Sequence, residues 1–409
     1  MADIQHVQVV IIGAGPSGAV AGALLKQQGI KSVIIEKSTF PRFSIGESLL
    51  PACMEVLKLA KLDHLVEQAG FQFKNGAAFQ YQQQYTQFDF TDKFSVGAGT
   101  TFQVQRACFD QILADGAAAQ GVDIRYQETV LAVDLSESVA QLTIANAQGE
   151  YQINADFVLD ASGFGRVLPR LLDLEQPSCL PARHALFTHI VDGIDDANYD
   201  RNKILISVHP ECPEVWYWLI PFSNGTSSVG VVAKPSFLAQ CSGDKLAVLQ
   251  QLIEQEPSLG RLLRNAQYQQ EVGEIGGYSA NVSQLCSEQF ALLGNAGEFL
   301  DPVFSSGVTI ALRSAQLACA ALVKKFAGEP MDWQQDYAEP LMLGVNTFRC
   351  YVEAWYSGEL QDVIFYPNPE PKIKQMVCSI LAGYAWDKQN PYVAKPRERL
   401  AALANLCAS

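Results

Sequence analysis

The sequence predicts an α/β protein: a Rossmann-like dinucleotide-binding domain, an antiparallel-sheet substrate domain and a helical C-terminal region. Three observations predict it. The stretch Val9 to Lys37, VVIIGAGPSGAVAGALLKQQGIKSVIIEK, reads as strand, glycine turn, helix and second strand. Apolar and polar residues alternate at period two between Phe71 and Phe90, and several strands are expected between Ala185 and Ala233. From Tyr337 onward the spacing is helical and the composition aromatic, with a break at Pro367, Pro369 and Pro371.

The opening unit carries Gly13, Gly15 and Gly18 as GxGxxG directly after the apolar run Val9 to Ile12, followed by a helical pattern from Ala19 to Gln28. The first glycine permits the tight turn, the second lets a pyrophosphate approach the backbone, and the third lets helix and sheet pack closely. The helix N-terminus then faces the phosphates. Glu36 ends the second strand, where a carboxylate accepts hydrogen bonds from ribose hydroxyls, and Ala14, Pro16, Ser17 and Lys37 complete the candidate cofactor-binding set of this unit.

Composition narrows the function classes. With 409 residues, 48% hydrophobic and 18% charged, the chain has the material for two or three packed regions. A net charge of -14 disfavours nucleic acid and anionic membranes as partners, since both need a basic face. No uninterrupted apolar run reaches the roughly 18 residues of a spanning helix, and the first strand begins almost at Met1, so a cytoplasmic protein without a membrane span is expected. The ten cysteines form no CxxC pair and read as buried free thiols. His6, His64, His184, His189 and His209 have no metal spacing, and no metal site is expected.

Along the chain, Phe40 to Pro51 is a loop with prolines at both ends and a glycine between, able to lie along a ligand. Ala52 to Ala69 has helical spacing. Arg106 joins a short strand to a helix over Phe109 to Gln120. A meander follows and ends in FVLDASG, where Asp160, Ser162 and Gly163 point to a second backbone approach to the cofactor. In VWYWLIP, Trp216, Trp218 and Ile220 share one face and Tyr217 and Leu219 the other, so the strand is buried on both sides. The stretch Phe290 to Phe326 reads as strand, glycine loop and helix, with Ser305 or Ser306 as N-cap and an anion site at the helix start. The basic pair Lys324 and Lys325 suits its C-terminal end.

These pieces together resemble a known family. GAGPSG with Glu36, VQRACFD with Arg106, DASG at Asp160 to Gly163, and the Gly294 to Pro302 loop with Asn295 resemble the FAD-binding elements of p-hydroxybenzoate-hydroxylase-like flavoproteins. Within that group, IGES with Gly46, Glu47 and Ser48, the FKNG region with Lys74, WYWLIP and FLDPVFSSG look like the flavin-dependent halogenases, matching WxWxIP and FxxPxxSxG in full. The C-terminal stretches WYSGELQD and ILAGYAWDKQNPY are similar to halogenase-like oxidoreductases of aryl-polyene and flexirubin-type pathways.

The resemblance implies FAD, used as FADH2, with O2 and chloride or bromide as co-substrates giving hypohalous acid. It assigns Lys74 as catalytic residue, the amides of Ser306 and Gly307 to the halide, Pro302 and Val308 to the flavin, and Trp216, Trp218 and Phe304 to the substrate pocket. Asn295 stands where relatives carry Asp, and Phe304 where halogenases of free tryptophan carry Glu. The implied substrate is therefore an electron-rich phenol or pyrrole, free or tethered to a carrier protein. No second GxGxxG follows a strand, so a separate flavin reductase is the expected partner. The implied domains are 1–75, 100–175 and 280–330 for FAD, 76–99 and 176–279 for the substrate side, and 331–409 for the helical region. Two alternatives stay open: an FAD-dependent monooxygenase or oxidoreductase on a carrier-bound aryl or acyl group, and a non-catalytic flavoprotein partner in a biosynthetic complex.

Overall fold

The structure, a computed structural model, describes residues 5–408. Two seven-stranded sheets organise it. In the first, Gln5–Ile12 lies between Ser32–Glu36 and Gly149–Asp160, parallel to both, and Asp123–Tyr126 extends the parallel edge. Gly149–Asp160 also pairs antiparallel with Ala140–Asn146, and its last residues pair parallel with Phe290–Leu292. Strands buried on both faces need apolar residues at every position, which the run from Val9 to Ile12 provides. Val9 and Ile11 face the main core, whereas Val10 and Ile12 pack on the opposite side with Leu142, Ile144 and Leu168.

The helix Pro16–Gln27 starts with Pro at its first position, as its fixed φ favours. It packs beside the 22-residue helix Ser306–Ala327. That long helix corrects one expectation: by length and composition it is apolar enough to cross a membrane. Its apolar surface is instead spent on the core, against Pro16–Gln27, Ala52–Leu59 and Glu339–Ser357.

The second sheet runs Gly273–Gly276, His184–Val191, Thr226–Ala233, Trp216–Pro221, Lys203–Val208, Gly76–Tyr81 and Gln84–Asp89. It is antiparallel except where Lys203–Val208 meets Gly76–Tyr81 in parallel, since that hairpin arrives from a distant part of the chain. Every residue of Trp216–Pro221 is buried. As the alternation predicts, Trp216, Trp218 and Ile220 join the main core, and Tyr217 and Leu219 a second core under the helix Lys245–Gln255.

Other expectations need correction. The helix foreseen over 52–69 is two, Ala52–Leu59 and Asp63–Gln68, because Lys61 adopts a left-handed φ of 57° that no α-helix continues through. Ser305 precedes the long helix with φ 54° and makes no side-chain cap. Among the cysteines, Cys108 and Cys179 are exposed rather than buried, and Cys53, Cys286, Cys319, Cys350 and Cys378 are buried as foreseen.

Within the C-terminal layer, the helix Glu339–Ser357 meets the later segments at Gly344, over which the Trp386 ring sits so closely that a Cβ would collide with it. Trp386 is anchored by its indole N–H, 3.0 Å from the Pro340 carbonyl. Gly344→Ala is expected to destabilise the fold by about 1–3 kcal/mol through overpacking, read as a lowered midpoint in chemical denaturation. An unchanged midpoint would show that this contact does not hold the layer.

Candidate active site

A cleft of about 510 Å³ runs along the C-terminal ends of the parallel strands, from Glu36, Lys37 and Val130 at one end to Trp216, Trp218, Ser305 and Gly307 at the other. At such strand ends open α/β sheets bind their ligands. Gly13 takes φ 97°, and a Cβ there would lie 2.8 Å from the Ala161 carbonyl oxygen. A Cβ on Gly18 would collide with the Gly13 carbonyl oxygen, whereas one on Gly15 would meet only the Arg42 side chain. Gly15 thus leaves open the space a pyrophosphate takes, and the cradle fits an adenine dinucleotide.

Glu36 is almost fully buried; one oxygen accepts from the Ala14 amide at 2.8 Å and the other from the Ser38 amide at 2.9 Å. Each oxygen keeps a second lone-pair direction for a ribose hydroxyl. Asp160 differs from its expected role. Both its oxygens are used by backbone amides, of Ser162 at 2.8 Å and Leu168 at 2.7 Å, and it has no exposed surface. It shapes the loop, and Ala161, Ser162 and Gly163 face the cleft in its place. Ala14, Gly18 and Gly294 are likewise structural: none lines the cleft, and the Gly294 amide donates to Ser314 Oγ at 2.9 Å.

The loop from Ser38 to Ser48 forms one wall. Arg106 holds it: the guanidinium is fixed by Asp110, with Nε 2.7 Å from Oδ1, and donates to the Ile45 carbonyl at 2.6 Å. Glu47 Oε1 is 2.8 Å from His189 Nε2. Burial opposes protonation of His189, yet the hydrogen bond and charge of Glu47 outweigh it and raise its pKa. Beyond Glu47 the loop becomes part of a small sheet. The Val104 amide donates to the Glu47 carbonyl at 2.7 Å and the Leu49 amide to the Phe102 carbonyl at 3.1 Å. The other edge of Thr101–Gln103 pairs with Gln72–Lys74.

That pairing brings Lys74 to the loop. Its side chain is wholly buried, and Nζ donates to Ser48 Oγ and to the Leu49 carbonyl, each at 2.7 Å. Nζ also lies 5.4 Å from the centre of the Phe90 ring. Burial lowers its pKa to about 7, with a small opposing effect from nearby Cys53. Lys74 does not itself line the cleft; Ser48, its hydrogen-bond acceptor, does.

At the far end, Asp301 Oδ1 accepts from the Val303 amide at 3.0 Å and caps the turn Pro302–Phe304. The helix Ser306–Ala327 follows, and the amides of its first turn have no acceptor within the helix. Ser305, Gly307 and Val308 line the cleft, as do Pro302 and Asn295, whereas the Ser306 side chain is buried. Phe304 turns away from the cleft, edge-on to Tyr351 and Trp355 of Glu339–Ser357.

Several lining residues were not foreseen. Arg42 and Phe43 lie in the loop already singled out, and their signal is a guanidinium and a ring beside the glycine of PRFSIGES. Phe43 stacks on Phe187 with centroids 6.1 Å apart. Phe187, Ile204 and Ile275 come from the second sheet, where nothing but strand register brings them to the cleft. Among the described residues no cluster of His, Cys, Asp or Glu is arranged to hold a metal.

Fold and cleft define an FAD-type flavoprotein. A family model described as an FAD binding domain matches residues 6–215. A flavoprotein/dehydrogenase from Cytophaga hutchinsonii has the same structure with a TM-score of 0.95 and 43% identity, covering 99% of each chain. A 1H-pyrrole-2-carbonyl-(peptidyl-carrier protein) chlorinase of Pseudomonas fluorescens is 25% identical over 98% of this chain and 95% of its own. The corresponding brominase of Pseudoalteromonas luteoviolacea is 27% identical over 82% of each. The chain belongs to the FAD-binding-domain flavoproteins, and the two carrier-protein halogenases are similar to it at 25% and 27% identity.

Gly18→Ala is expected to abolish FAD retention, because its Cβ meets backbone that cannot move aside; stoichiometric flavin absorbance after desalting would contradict this. Lys74 also gives stability a pH signature. Its folded pKa of about 7 lies below the ordinary 10.5, so between these values the unfolded chain holds the proton that the folded chain has lost. Stability contributed by this group rises with pH across that window. The denaturation midpoint is expected to climb from pH 7 to 9 in the wild type and to climb less in Lys74→Met.

Proposed function

We propose that this enzyme halogenates an electron-rich aromatic ring, with Lys74 as the residue that hands over the halogen. The observation that carries the reading is a lysine amine withdrawn from water yet hydrogen-bonded to Ser48, a residue of the cleft wall. Reduced FAD, when bound, supplies with dioxygen the oxidising equivalent that converts chloride or bromide to hypohalous acid. Gly13, Gly15 and the helix Pro16–Gln27 receive its pyrophosphate, and Glu36 its ribose. Gly46, Glu47 and Ser48 on one wall, with Pro302 and Val308 on the other, enclose the ring system.

The amides of Ser306 and Gly307 offer a halide two unpaired donors at a helix N-terminus, replacing the water it gives up. Trp216 and Trp218 fill the space between cleft and core and keep the aromatic substrate from the flavin end. With its two hydrogens donated to Ser48 Oγ and the Leu49 carbonyl, neutral Lys74 has its lone pair left for reaction. The lone pair attacks the halogen of hypohalous acid, the O–X bond breaks, and one of the two N–H protons gives up its hydrogen bond and leaves with the hydroxide as water; the N–X bond then delivers the halogen.

Phe304 cannot stabilise a cationic ring intermediate as a carboxylate would, so the ring must be activated by its own hydroxyl or ring nitrogen. Both pyrrole-halogenating relatives act on a carrier-bound pyrrole-2-carbonyl group, which favours a carrier-tethered substrate here. A separate flavin reductase supplies FADH2, and the enzyme works in the cytoplasm. The FAD-binding unit comprises 1–75, 100–175 and 280–330, with the substrate side in 76–99 and 176–279. A second reading, an FAD-dependent oxidoreductase without halide chemistry, is favoured by the dehydrogenase description of the 43% identical neighbour.

Incubation with a flavin reductase, oxygen, bromide and free or carrier-bound phenols and pyrroles decides between them by product mass. Halogenated product is expected, reduced by about 100-fold or more in Lys74→Ala with FAD still bound. The rate is expected to rise with pH through about 7, as the neutral amine accumulates. Oxidised but unhalogenated product at every halide concentration would support the second reading.

A further inference from the structure

The Tyr356 hydroxyl joins three elements that meet only in the folded chain. It accepts from Trp216 Nε1 at 2.9 Å and donates to Asp301 Oδ2 at 2.9 Å. The direction of both bonds is fixed, because an indole nitrogen only donates and a carboxylate only accepts. Asp301 Oδ2 accepts also from Tyr278 at 3.3 Å, and Oδ1 from the Val303 amide at 3.0 Å. The Tyr356 ring lies under the Arg183 guanidinium at 3.8 Å, and Arg183 is held by the Glu214 carbonyl at 3.2 Å.

Asp301, Trp216 and Arg183 are all buried. Buried polar groups must be paired, so the loss of one bond here orphans its neighbour. Neither Asp301, Tyr356 nor Arg183 lines the cleft, and each acts only through Trp216 and the turn that do. The charge of Asp301 is faced by Arg183, Tyr278 and Tyr356, and Arg183 carries the network on to the Glu214 carboxylate at 3.3 Å.

We propose that Asp301 and Tyr356 are positioning residues that lock the Trp216 ring and the Pro302–Gly307 turn to each other, so that a residue of the C-terminal helix sets the anion affinity of the turn. The proposal rests on the reading of that turn as the halide site. Without the Tyr356 hydroxyl, the indole N–H and Asp301 Oδ2 each lose a partner, and the turn no longer holds the orientation its amides need.

The test is bromide titration of the oxidised FAD-loaded protein, followed by flavin absorbance without turnover. Tyr356→Phe keeps the ring under Arg183 and is expected to weaken bromide about ten-fold, the equivalent of one charge-assisted hydrogen bond. FAD affinity is expected to stay within about two-fold, since the nucleotide end is remote from the network. Asp301→Asn is expected to weaken bromide similarly, and the double variant no further, because the two residues act as one unit. In turnover, the bromide KM should rise while kcat stays near wild type. A bromide response that Tyr356→Phe leaves unchanged overturns the lock alone. A wild type with no bromide response overturns both the lock and the halide reading of the turn.

Discussion

The Lys74 amine, wholly buried and given two oxygen acceptors at 2.7 Å, constrains everything around the chemical end of the cleft. A buried ammonium is costly, and the fold lowers that cost by letting the group lose its proton near neutral pH. A lysine kept only for structure gains nothing from such a place; a methionine of similar length would pack there without the penalty. The amine is held in place by the small sheet of Gln72–Lys74, Thr101–Gln103 and the Glu47–Leu49 segment, whose backbone bonds position the segment that carries both acceptors.

The loop over the cleft therefore cannot move independently of the amine. Arg106 fixes its middle at Ile45, His189 fixes Glu47, and Lys74 fixes Ser48 and Leu49. Its tip is held by longer contacts: Phe43 is 60% exposed and meets the rings of Phe187 and His189, and Arg42 reaches Glu36 and Asp110 at 3.9 and 3.8 Å. A wall held by short hydrogen bonds at one end and by longer contacts at the other suits a cleft that must admit a large cofactor and then exclude water.

Much of this was legible in the sequence. The glycine turn, Glu36 and the doubly buried tryptophan strand follow from period and spacing, because local geometry dictates them. Lys74 was legible only through resemblance: a lysine after a short strand looks like a surface residue until Thr101–Gln103 covers it. Asp160 illustrates the opposite error. An acid at a strand end beside a glycine loop looks like a ligand, but two backbone amides reach it first. The Asp301–Tyr356–Trp216 chain was illegible in principle. Its members are separated by 85 and 55 residues, and no periodicity links a strand, a turn and a helix that meet through side chains alone.

In the proposed halogen transfer, one neighbour of Lys74 bears on whether electrophilic halogen would survive beside it. Cys53 is buried within electrostatic reach of the amine, and thiols ordinarily consume hypohalous acid faster than amines do. The reactive form is the thiolate. Burial raises the Cys53 pKa, and this outweighs the lowering by its Thr309 hydrogen bond, at 3.2 Å, and by the charge of Lys74. The same desolvation therefore has opposite chemical consequences for the two groups. It strips the proton from the amine, exposing a lone pair, and keeps the proton on the thiol, withholding its charge. In the proposed mechanism a dry pocket would thus select the amine over the thiol as nucleophile without any further device.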